Sequence, residues 1–247
     1  MALTSKGNIS DENSQQFVDF SNLKFLSHGT SGVVYAIDEH RVLKEYYDVE
    51  QGAEERRALD RLGSHPNIIG YLGDAGPSSI ILERGTPLLS LSEAADLWIQ
   101  NREVWIKDSA EGLLYIHKNN IVHGDVGCEN MVVVGNKLKM IDFEGCGING
   151  RESTAAYKWY NWPGSSVDAQ SDMFAYGCAV YQMLTGKPTF SELVDVVDRD
   201  KAARLLWAEQ RYPDVRGMRL GSVMLGCWSG KFQSMGEVIV ALDSISV

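Results

Sequence analysis

The stretch HGDVGCENMVVVGNKLKMIDFEG, residues 123–145, contains three polar residues whose spacing decides how the chain is interpreted. Asp125 precedes Asn130 by five residues, and Asp142 follows Asn130 by twelve. The runs MVVV and KLKMI between Asn130 and Asp142 are short and apolar, which predicts two neighbouring strands. Such strands would set Asn130 and Asp142 on adjacent loop ends, with Asp125 on the loop before them.

An amide and a carboxylate in this arrangement indicate a magnesium site. Mg²⁺ takes few oxygen ligands from the protein and completes its shell with water and substrate phosphates. Asn130 and Asp142 supply such oxygens, and Asp125 would be left to orient or deprotonate a hydroxyl nucleophile. The alternative is a hairpin in which Asp125 and Asn130 only cap turns. That alternative does not explain why Asp142 lies between a buried strand and an exposed turn.

The chain before this stretch has the pattern of a small sheet with one helix. Residues 23–46 contain apolar runs broken by a glycine-bearing turn and a polar turn, which predicts three antiparallel strands. Residues 50–62 predict a helix that ends at Gly63. The runs IIGYLG and SSIILE, residues 68–73 and 78–83, predict two more strands. We therefore expect a five-stranded antiparallel sheet plus one helix.

The later part of the chain is mainly helical in pattern. Apolar stripes at residues 106–114 and 173–184 predict two helices, and Ser234 with Glu237 predicts the start of a last helix. The fold class expected is therefore α+β with two lobes. We expect a flexible tail, a β-rich N-terminal lobe and a mainly helical C-terminal lobe, over residues 1–16, 17–84 and 85–247.

Two features of the first lobe have both a functional and a plain interpretation. Backbone N–H groups at Gly29 and Gly32 could lie over phosphates that a Cβ would push away, although two glycines between strands more often form a simple hairpin. Lys44 on the third strand is followed by a helix that carries Glu54 and Glu55. A buried lysine needs such a partner, whereas a solvated lysine does not. The residues alone leave these alternatives open.

Composition and charge argue against several classes of partner. The 247 residues have a net charge of -10, and phosphate-backbone binding needs a basic surface, so we expect no nucleic acid partner. No run approaches the ~18 apolar residues of a membrane span, so we expect no membrane association. Four widely spaced cysteines without C-x-x-C spacing predict reduced thiols and a cytoplasmic location. Secretion from a longer precursor stays open, as does the oligomeric state, for which a monomer is the default.

Taken in order, these segments resemble the eukaryotic protein kinase family from Phe25 to Leu242. The turn Ser27-x-Gly29-x-x-Gly32-x-Val34 is similar to the family's glycine-rich loop, with Ser27 in place of the first glycine.

Further motifs follow in the family's order. Lys44 matches its third-strand lysine and Glu55 the helix partner of that lysine. His123-Gly124-Asp125 with Asn130 resembles the catalytic loop, Asp142-Phe143-Glu144 resembles the metal-binding motif, and residues 171–188 resemble a helix and turn of the helical lobe.

The resemblance implies a fold, an activity and a set of site residues. It implies a two-lobed kinase fold that uses ATP with Mg²⁺, or with Mn²⁺ as an alternative, to phosphorylate a protein hydroxyl, with serine or threonine favoured over tyrosine. Catalytic roles fall on Asp125, Lys44 and Asn130, and metal binding on Asn130 and Asp142. Leu82 would be the gatekeeper, followed by the hinge. Nucleotide contacts are expected at Ser27, Gly29, Gly32, Val34, Lys44, Glu55, Leu82, Glu83 and Gly85.

The sequence departs from the family pattern at several positions. Gly124 replaces the arginine that reads a phosphorylated activation loop, so we expect activity that needs no such phosphorylation. Gly127 replaces a lysine of the catalytic loop. Glu144 replaces a glycine, which restricts backbone flipping and predicts a site fixed in one state. Residues 145–165 contain no Ala-Pro-Glu motif.

These departures keep two other functions open. A pseudokinase that acts as a nucleotide-binding scaffold or decoy would explain Ser27, Gly127 and Glu144. A small-molecule kinase is the second alternative, because the catalytic segment also resembles aminoglycoside phosphotransferases and choline kinases. Residues 171–188 favour a protein substrate over a small molecule. Retention of the five polar site residues favours an active enzyme: Lys44, Glu55, Asp125, Asn130 and Asp142.

Overall fold

The computed structural model describes residues 23–154 and 166–245, together with residues 8, 9, 16, 17, 21 and 164. Most of the predicted tail lies outside the described residues, as do residues 155–163 and 165 of the segment in which the Ala-Pro-Glu motif is missing. The predictions for these two segments therefore stay predictions.

A five-stranded antiparallel sheet forms the N-terminal lobe, which confirms the predicted fold class of this half. Two shorter strands, β1 (Asn8–Ile9) and β2 (Gln16–Phe17), pair with each other earlier in the chain. The five strands of the sheet are β3 (Lys24–His28), β4 (Gly32–Ala36), β5 (Arg41–Tyr46), β6 (Tyr71–Gly76) and β7 (Ser79–Glu83). Their order in the sheet is β3-β4-β5-β7-β6.

The strand predicted at residues 68–73 begins later than expected. Ile68 and Ile69 are fully buried, but they lie outside β6 and contact the helical lobe instead. The amide of Ile69 donates to the carbonyl of Met140 at 3.1 Å, and the amide of Met140 donates to the carbonyl of Asn67 at 2.9 Å. Apolar β-branched residues here therefore join the two lobes rather than extend the sheet.

One helix, α1 (Val49–Leu62), packs against strands β5 and β7 of this sheet. The side chain of Asp48 caps its first turn, and Gly63 ends it with a positive φ of 57°, which an L side chain rarely adopts. Arg56 fastens the helix to the β6–β7 turn, because its guanidinium donates to the carbonyls of Gly76 and Pro77 at 2.8 Å each.

The C-terminal end of α1 is attached to the helical lobe. The Tyr115 hydroxyl donates to the carbonyl of Leu62 at 2.6 Å, and the ring of His65 stacks on that of Tyr115 with centroids 4.1 Å apart. Arg61 donates to the carbonyl of Asn119. These contacts fix the end of α1 to the helix that carries Tyr115.

The C-terminal lobe is mainly helical, as predicted. Short strands form two small sheets, one ordered β11-β10-β8 and the other β12-β9. The strands are β8 (Thr86–Pro87), β9 (Ile121–Val122), β10 (Met131–Val134), β11 (Lys137–Met140) and β12 (Gly147–Ile148). The α-helices are α2 (Ala95–Lys118), α3 (Ala169–Thr185), α4 (Arg199–Ala208), α5 (Gly221–Trp228) and α6 (Met235–Ile245). Short 3₁₀ helices span Leu88–Glu93, Cys128–Asn130 and Ser191–Leu193. Within the residues described, no helix is both long and apolar enough to cross a membrane.

Helix α3 is the centre of this lobe and is buried along most of its length. Its first turn has a reciprocal capping box between Asp168 and Ser171, and Gly186 ends it in the left-handed conformation. Gly177 faces α5 so closely that a Cβ there would lie 2.8 Å from Cβ of Cys227 and 2.9 Å from Nε1 of Trp228. A side chain at this position would therefore separate the two helices.

We predict that Gly177→Ala lowers the free energy of unfolding by about 1–3 kcal/mol, the usual cost of overpacking a core. Chemical denaturation measures the change. Gly236→Ala in α6 is the matched control, because the nearest atom to its new Cβ is Ser234 Oγ at 3.5 Å. That variant should be as stable as the parent or slightly more so, since alanine is the better helix former. Equal stability of the two variants would contradict the prediction.

Candidate active site

A cleft of about 910 Å³ lies between the two lobes. Its volume is within the range of small-molecule sites. Every site residue predicted from the sequence lines this cleft: Ser27, Gly29, Gly32, Val34, Lys44, Glu55, Leu82, Glu83, Gly85, Asp125, Asn130 and Asp142. The fold therefore brings together residues that are up to 115 positions apart in the chain, from Ser27 to Asp142.

The Glu55 carboxylate is fully buried and joins three parts of the cleft. Its Oε2 atom accepts from Lys44 Nζ at 2.6 Å and from the Tyr46 hydroxyl at 2.5 Å. Its Oε1 atom accepts from the backbone amide of Phe143 at 3.1 Å. Glu54, the neighbouring acid, instead contacts Arg57 at the surface. The helix thus directs one of its two adjacent glutamates into the cleft and the other toward solvent.

Lys44 is surrounded by carboxylates. Besides Glu55, its Nζ atom lies 2.6 Å from Oδ1 of Asp142 and 3.2 Å from Oε2 of Glu144. Burial opposes the charged form and lowers the pKa of Lys44, but Glu55 and Asp142 outweigh this effect and hold the pKa well above its usual value. Lys44 therefore carries a positive charge throughout the physiological pH range.

Tyr46 is a site residue that sequence reasoning missed. Its ring lies beside the Lys44 ammonium, 5.1 Å from Nζ to the ring centroid. Burial and the adjacent Glu55 carboxylate raise the pKa of Tyr46 well above its usual value, so the hydroxyl stays protonated and donates. The period-two pattern of β5, which puts residues 42, 44 and 46 on one face, is the sequence signal that could have identified it.

Glu144 and Asp142 lie on the same short segment as Phe143. Burial raises the pKa of Glu144, while the ammonium of Lys44 lowers it. Glu144 is not among the residues with positive φ, so the side chain that replaces glycine causes no backbone strain there. Asp142 does have a positive φ, of 70°. Phe143 is fully buried against His123, with ring centroids 5.0 Å apart.

Asn130 orients Asp125. The Asn130 side-chain nitrogen donates to the backbone carbonyl of Asp125 at 2.8 Å and to its Oδ2 atom at 2.9 Å. The backbone carbonyl of Asn130 accepts from the amide of Ile141 at 3.1 Å, which connects this loop to the segment before Asp142. Since both side-chain hydrogen bonds use the amide nitrogen, the amide oxygen is the atom of Asn130 that suits a metal ion.

Asp172 on α3 holds the loop that carries Asp125. This carboxylate is fully buried and accepts from the backbone amides of His123 at 2.8 Å and Gly124 at 2.9 Å, and it contacts His117 Nε2 at 2.9 Å. Gly124 has a φ of 79°, a conformation that favours glycine. Sequence reasoning assigned no role to Asp172, although an acid within a buried helix was a signal that it had buried partners.

Apolar side chains form the walls of the cleft near the connection between the lobes. Val42 on β5 and Leu82 on β7 are cross-strand partners on the same face. Gly85 packs against β10 so closely that a Cβ there would lie 2.7 Å from Cβ of Val132. Sequence reasoning identified only two of the wall residues, because the others carry no motif. The walls comprise Leu26, Val34, Val42, Leu82, Val132 and Ile141.

The two glycines of the first turn have different roles. A Cβ at Gly29 would have no atom within 4 Å, so the turn is open there. A Cβ at Gly32 would lie 2.2 Å from the carbonyl oxygen of Glu45 on the neighbouring strand. The close approach of β4 and β5 therefore explains the glycine at position 32. The prediction that a missing Cβ leaves space for phosphates then applies to Gly29.

A carboxylate occupies the space beside Gly127, where the resemblance led us to expect a lysine. A Cβ at Gly127 would lie 2.6 Å from Oε2 of Glu129, so this glutamate folds back over the loop. Glu129 lines the same cleft as Asp125. The charge near Asp125 is therefore more negative than the family pattern implies.

A family model of the protein kinase domain matches residues 20–210, more than half of the chain. The chain belongs to the protein kinase family. The chemistry of this family is phosphoryl transfer from a nucleotide. The match confirms the family inferred from the motifs of the sequence.

Known protein kinases are similar to parts of the chain. Mitogen-activated protein kinase kinase kinase 3 of Arabidopsis thaliana is 33% identical over 160 residues, 56% of this chain and 24% of that protein. Mitogen-activated protein kinase kinase kinase 6 of Homo sapiens is 31% identical over 199 residues, 68% of this chain and 16% of that protein. Serine/threonine-protein kinase PknB of Mycobacterium tuberculosis is 33% identical over 99 residues, 35% of this chain and 16% of that protein. The chain thus spans about a quarter or less of the length of these curated relatives.

We predict that Asp172→Ala destabilises the kinase domain by about 3 kcal/mol, because two buried backbone amides lose their acceptor. Denaturant unfolding followed by tryptophan fluorescence measures the change. Asp243→Ala is the control, since Asp243 pairs with Lys107 at the surface, where both side chains are half exposed. The control should unfold like the parent. If Asp172→Ala also does so, Asp172 does not support the catalytic loop.

Proposed function

We propose that the chain transfers the γ-phosphoryl group of ATP to a protein hydroxyl, with serine or threonine favoured over tyrosine. The observation that carries this proposal is the ion pair between Lys44 and the buried Glu55, in one cleft with the hydrogen-bonded Asp125 and Asn130 and with Asp142. Phosphoryl transfer needs positioned charges and little covalent chemistry from the protein. The similarity to serine/threonine-protein kinase PknB supports the hydroxyl preference.

The walls of the cleft and Lys44 would bind the nucleotide. Apolar side chains on both sides of the cleft suit a planar base, and Glu83 and Gly85 line the cleft beside them. Lys44 would hold the α and β phosphates. Because Glu55 and Tyr46 fix the ammonium before the nucleotide arrives, little ordering remains to be done on binding.

Asn130 and Asp142 would hold Mg²⁺, with Mn²⁺ as an alternative. Their amide and carboxylate oxygens are the donors that this hard cation prefers. When bound, the metal neutralises charge on the phosphates. A nearby trio of carboxylates, Glu55, Asp142 and Glu144, has ligand atoms within 4.8 Å of one another. The Lys44 ammonium already lies among these three, so we assign no additional metal to the trio, and Asp142 is the one member that would also reach the metal held with Asn130.

Asp125 would accept the proton of the substrate hydroxyl. Asn130 holds one carboxylate oxygen of Asp125 by a hydrogen bond, which fixes the orientation of the carboxyl group toward the cleft that the substrate would enter. Asp172 fixes the backbone on the N-terminal side of Asp125 through the amides of His123 and Gly124. The proposed base is thus held from both sides.

A pseudokinase is the second candidate, and one observation favours it. Glu144 pairs with the same ammonium that the phosphates would need. Against this candidate, a chain that transfers no phosphate has no requirement to keep Asp125 oriented by Asn130. Nucleotide binding without turnover would distinguish this candidate from an active kinase.

We also propose a cytoplasmic location, which the state of the cysteines supports. All four cysteines are buried and free: Cys128, Cys146, Cys178 and Cys227. Burial raises the pKa of each thiol, and that of Cys146 rises to about 12. Thiols of this kind are unreactive and typical of a reducing compartment.

We predict that Asp125→Ala lowers phosphoryl transfer by about 100-fold or more, because the proposed base is lost. The assay follows radiolabelled phosphate from ATP into casein and into the chain itself, after phosphatase treatment. ATP affinity should change little, which separates loss of chemistry from loss of binding. Asp243→Ala serves as the control and should keep parental activity. Transfer at the parental rate in Asp125→Ala would show that the catalytic assignment is wrong.

We predict that Asp142→Ala weakens the binding of Mg-ATP on the order of tenfold or more, because a metal ligand is removed. Calorimetric titration with Mg-ATP and with adenosine measures the effect. Adenosine carries no phosphate for the metal to bridge, so its affinity should stay close to that of the parent. An unchanged Mg-ATP affinity would contradict the metal assignment.

A further inference from the structure

Glu144 is the third carboxylate beside Lys44, and the proposed reaction does not use it. Its Oε2 atom is 3.2 Å from Lys44 Nζ, and its side chain is 18% exposed. It is two residues after Asp142 in the chain and lines the same cleft. Its position in the cleft therefore raises the question of what it does to a nucleotide.

The hydrogen-bonding capacity of Lys44 decides this question. An ammonium group has three N–H donors. Glu55 and Asp142 each accept one of these at 2.6 Å. Glu144 Oε2 is buried and has no hydrogen-bond partner, so its contact with Lys44 is purely electrostatic. The third donor of Lys44 is the one that a phosphate oxygen could accept, and Glu144 competes for it.

Glu55 and Asp142 are harder to displace from Lys44 than Glu144 is. Glu55 is fully buried and also holds Tyr46 and the amide of Phe143. Asp142 has a hydrogen bond to the ammonium and is needed for the proposed metal. Glu144 has the longest contact of the three with Lys44, so it is the carboxylate that an arriving phosphate would displace.

The glycine turn holds Glu144 from the opposite side. The Ser31 side chain lies beside the carboxyl group of Glu144 and helps to lower the pKa of that group. Ser31 is itself buried, and its carbonyl accepts from the amide of Tyr47 at 2.8 Å. Glu144 therefore lies between the turn that would cover the phosphates and the lysine that would bind them. This is the space that phosphates need under the proposed function.

We propose that Glu144 is a built-in competitor of the nucleotide phosphates for Lys44, and that it selectively weakens the binding of phosphorylated nucleotides. The proposal rests on the proposed function, because it assumes that the cleft binds ATP. Two like charges near one ammonium repel each other, and a phosphate must overcome this repulsion or displace the carboxylate. A ligand without phosphate experiences neither cost. Glu144 therefore affects nucleotide binding through its contact with Lys44 and takes no part in the proposed reaction itself.

The test compares ATP with adenosine in calorimetric titrations of the whole chain with Mg²⁺ present. Glu144→Gln keeps the size of the side chain and its acceptor for Ser31 but removes the charge. We expect ATP to bind about tenfold more tightly to this variant, since one repulsive charge near the phosphates is gone. Adenosine affinity should stay as in the parent. A general structural change would move both affinities together.

Glu129→Gln is the matched control. Glu129 is a second carboxylate of the same cleft, but it folds over Gly127 and forms no ion pair with Lys44 among the residues that the structure describes. We expect its ATP affinity to change clearly less than that of Glu144→Gln. Equal gains in both variants would overturn the proposal, because the effect would then reflect the overall charge of the cleft.

The remaining outcomes show whether this inference alone fails or whether the proposed function fails with it. If the ratio of ATP to adenosine affinity is the same in the parent and in Glu144→Gln, Glu144 does not compete and the proposal is wrong, while the proposed function stands. If neither ligand binds to any variant, the proposed function itself fails, and this inference fails with it. Should Glu144→Gln not fold, as judged by its melting temperature, Glu144→Gly carries the same comparison. Failure of both to fold would assign Glu144 a structural role instead.

Discussion

The cleft depends on one buried carboxylate, that of Glu55. A carboxylate without exposure to water needs hydrogen-bond donors on both oxygens, and the fold supplies them from a strand and from the segment around Phe143. Because these donors lie on separate elements, satisfying Glu55 fixes β5, α1 and the Asp142 segment relative to one another. The position of Lys44, and with it the charge that a phosphate would meet, follows from this requirement.

A second buried carboxylate, that of Asp172, fixes a loop of the helical lobe in the same way. Asp172 accepts two consecutive backbone amides of the loop before Asp125. Glu55 and Asp172 therefore each orient the backbone of one loop in the cleft, and neither is a candidate for contact with the reacting atoms. Lys44, Asp125 and Asp142, which are assigned to the chemistry, are partly exposed, whereas Glu55 and Asp172, which supply rigidity, are fully buried. This division explains why the site needs more acidic residues than the proposed reaction uses.

Much of this architecture could be predicted from the sequence, because it depends on local patterns. Strand and helix periodicity identified both lobes, and the spacing of Asp125, Asn130 and Asp142 indicated a metal site. The other residues of the cleft were identified through the resemblance to protein kinases. Other features depend on contacts between distant parts of the chain. The pairing of Lys44 with Asp142 joins residues 98 positions apart, and the burial of Asp172 depends on packing that no local pattern records. Hydrophobic runs were also misread where they crossed between lobes, as at residues 68 and 69.

The attachment of α1 to α2 determines how the cleft can open. The bond from the Tyr115 hydroxyl to the carbonyl of Leu62 and the stacking of His65 on Tyr115 make a fixed point at one end of α1. The backbone hydrogen bonds that join Asn67 and Ile69 to Met140 belong to the same short stretch of chain, 62–69, so a rigid lobe would turn about this stretch. Atoms close to the stretch would then move least. Opening the cleft would therefore move the turn at Gly29 more than Glu55, which lies about two helical turns before Leu62.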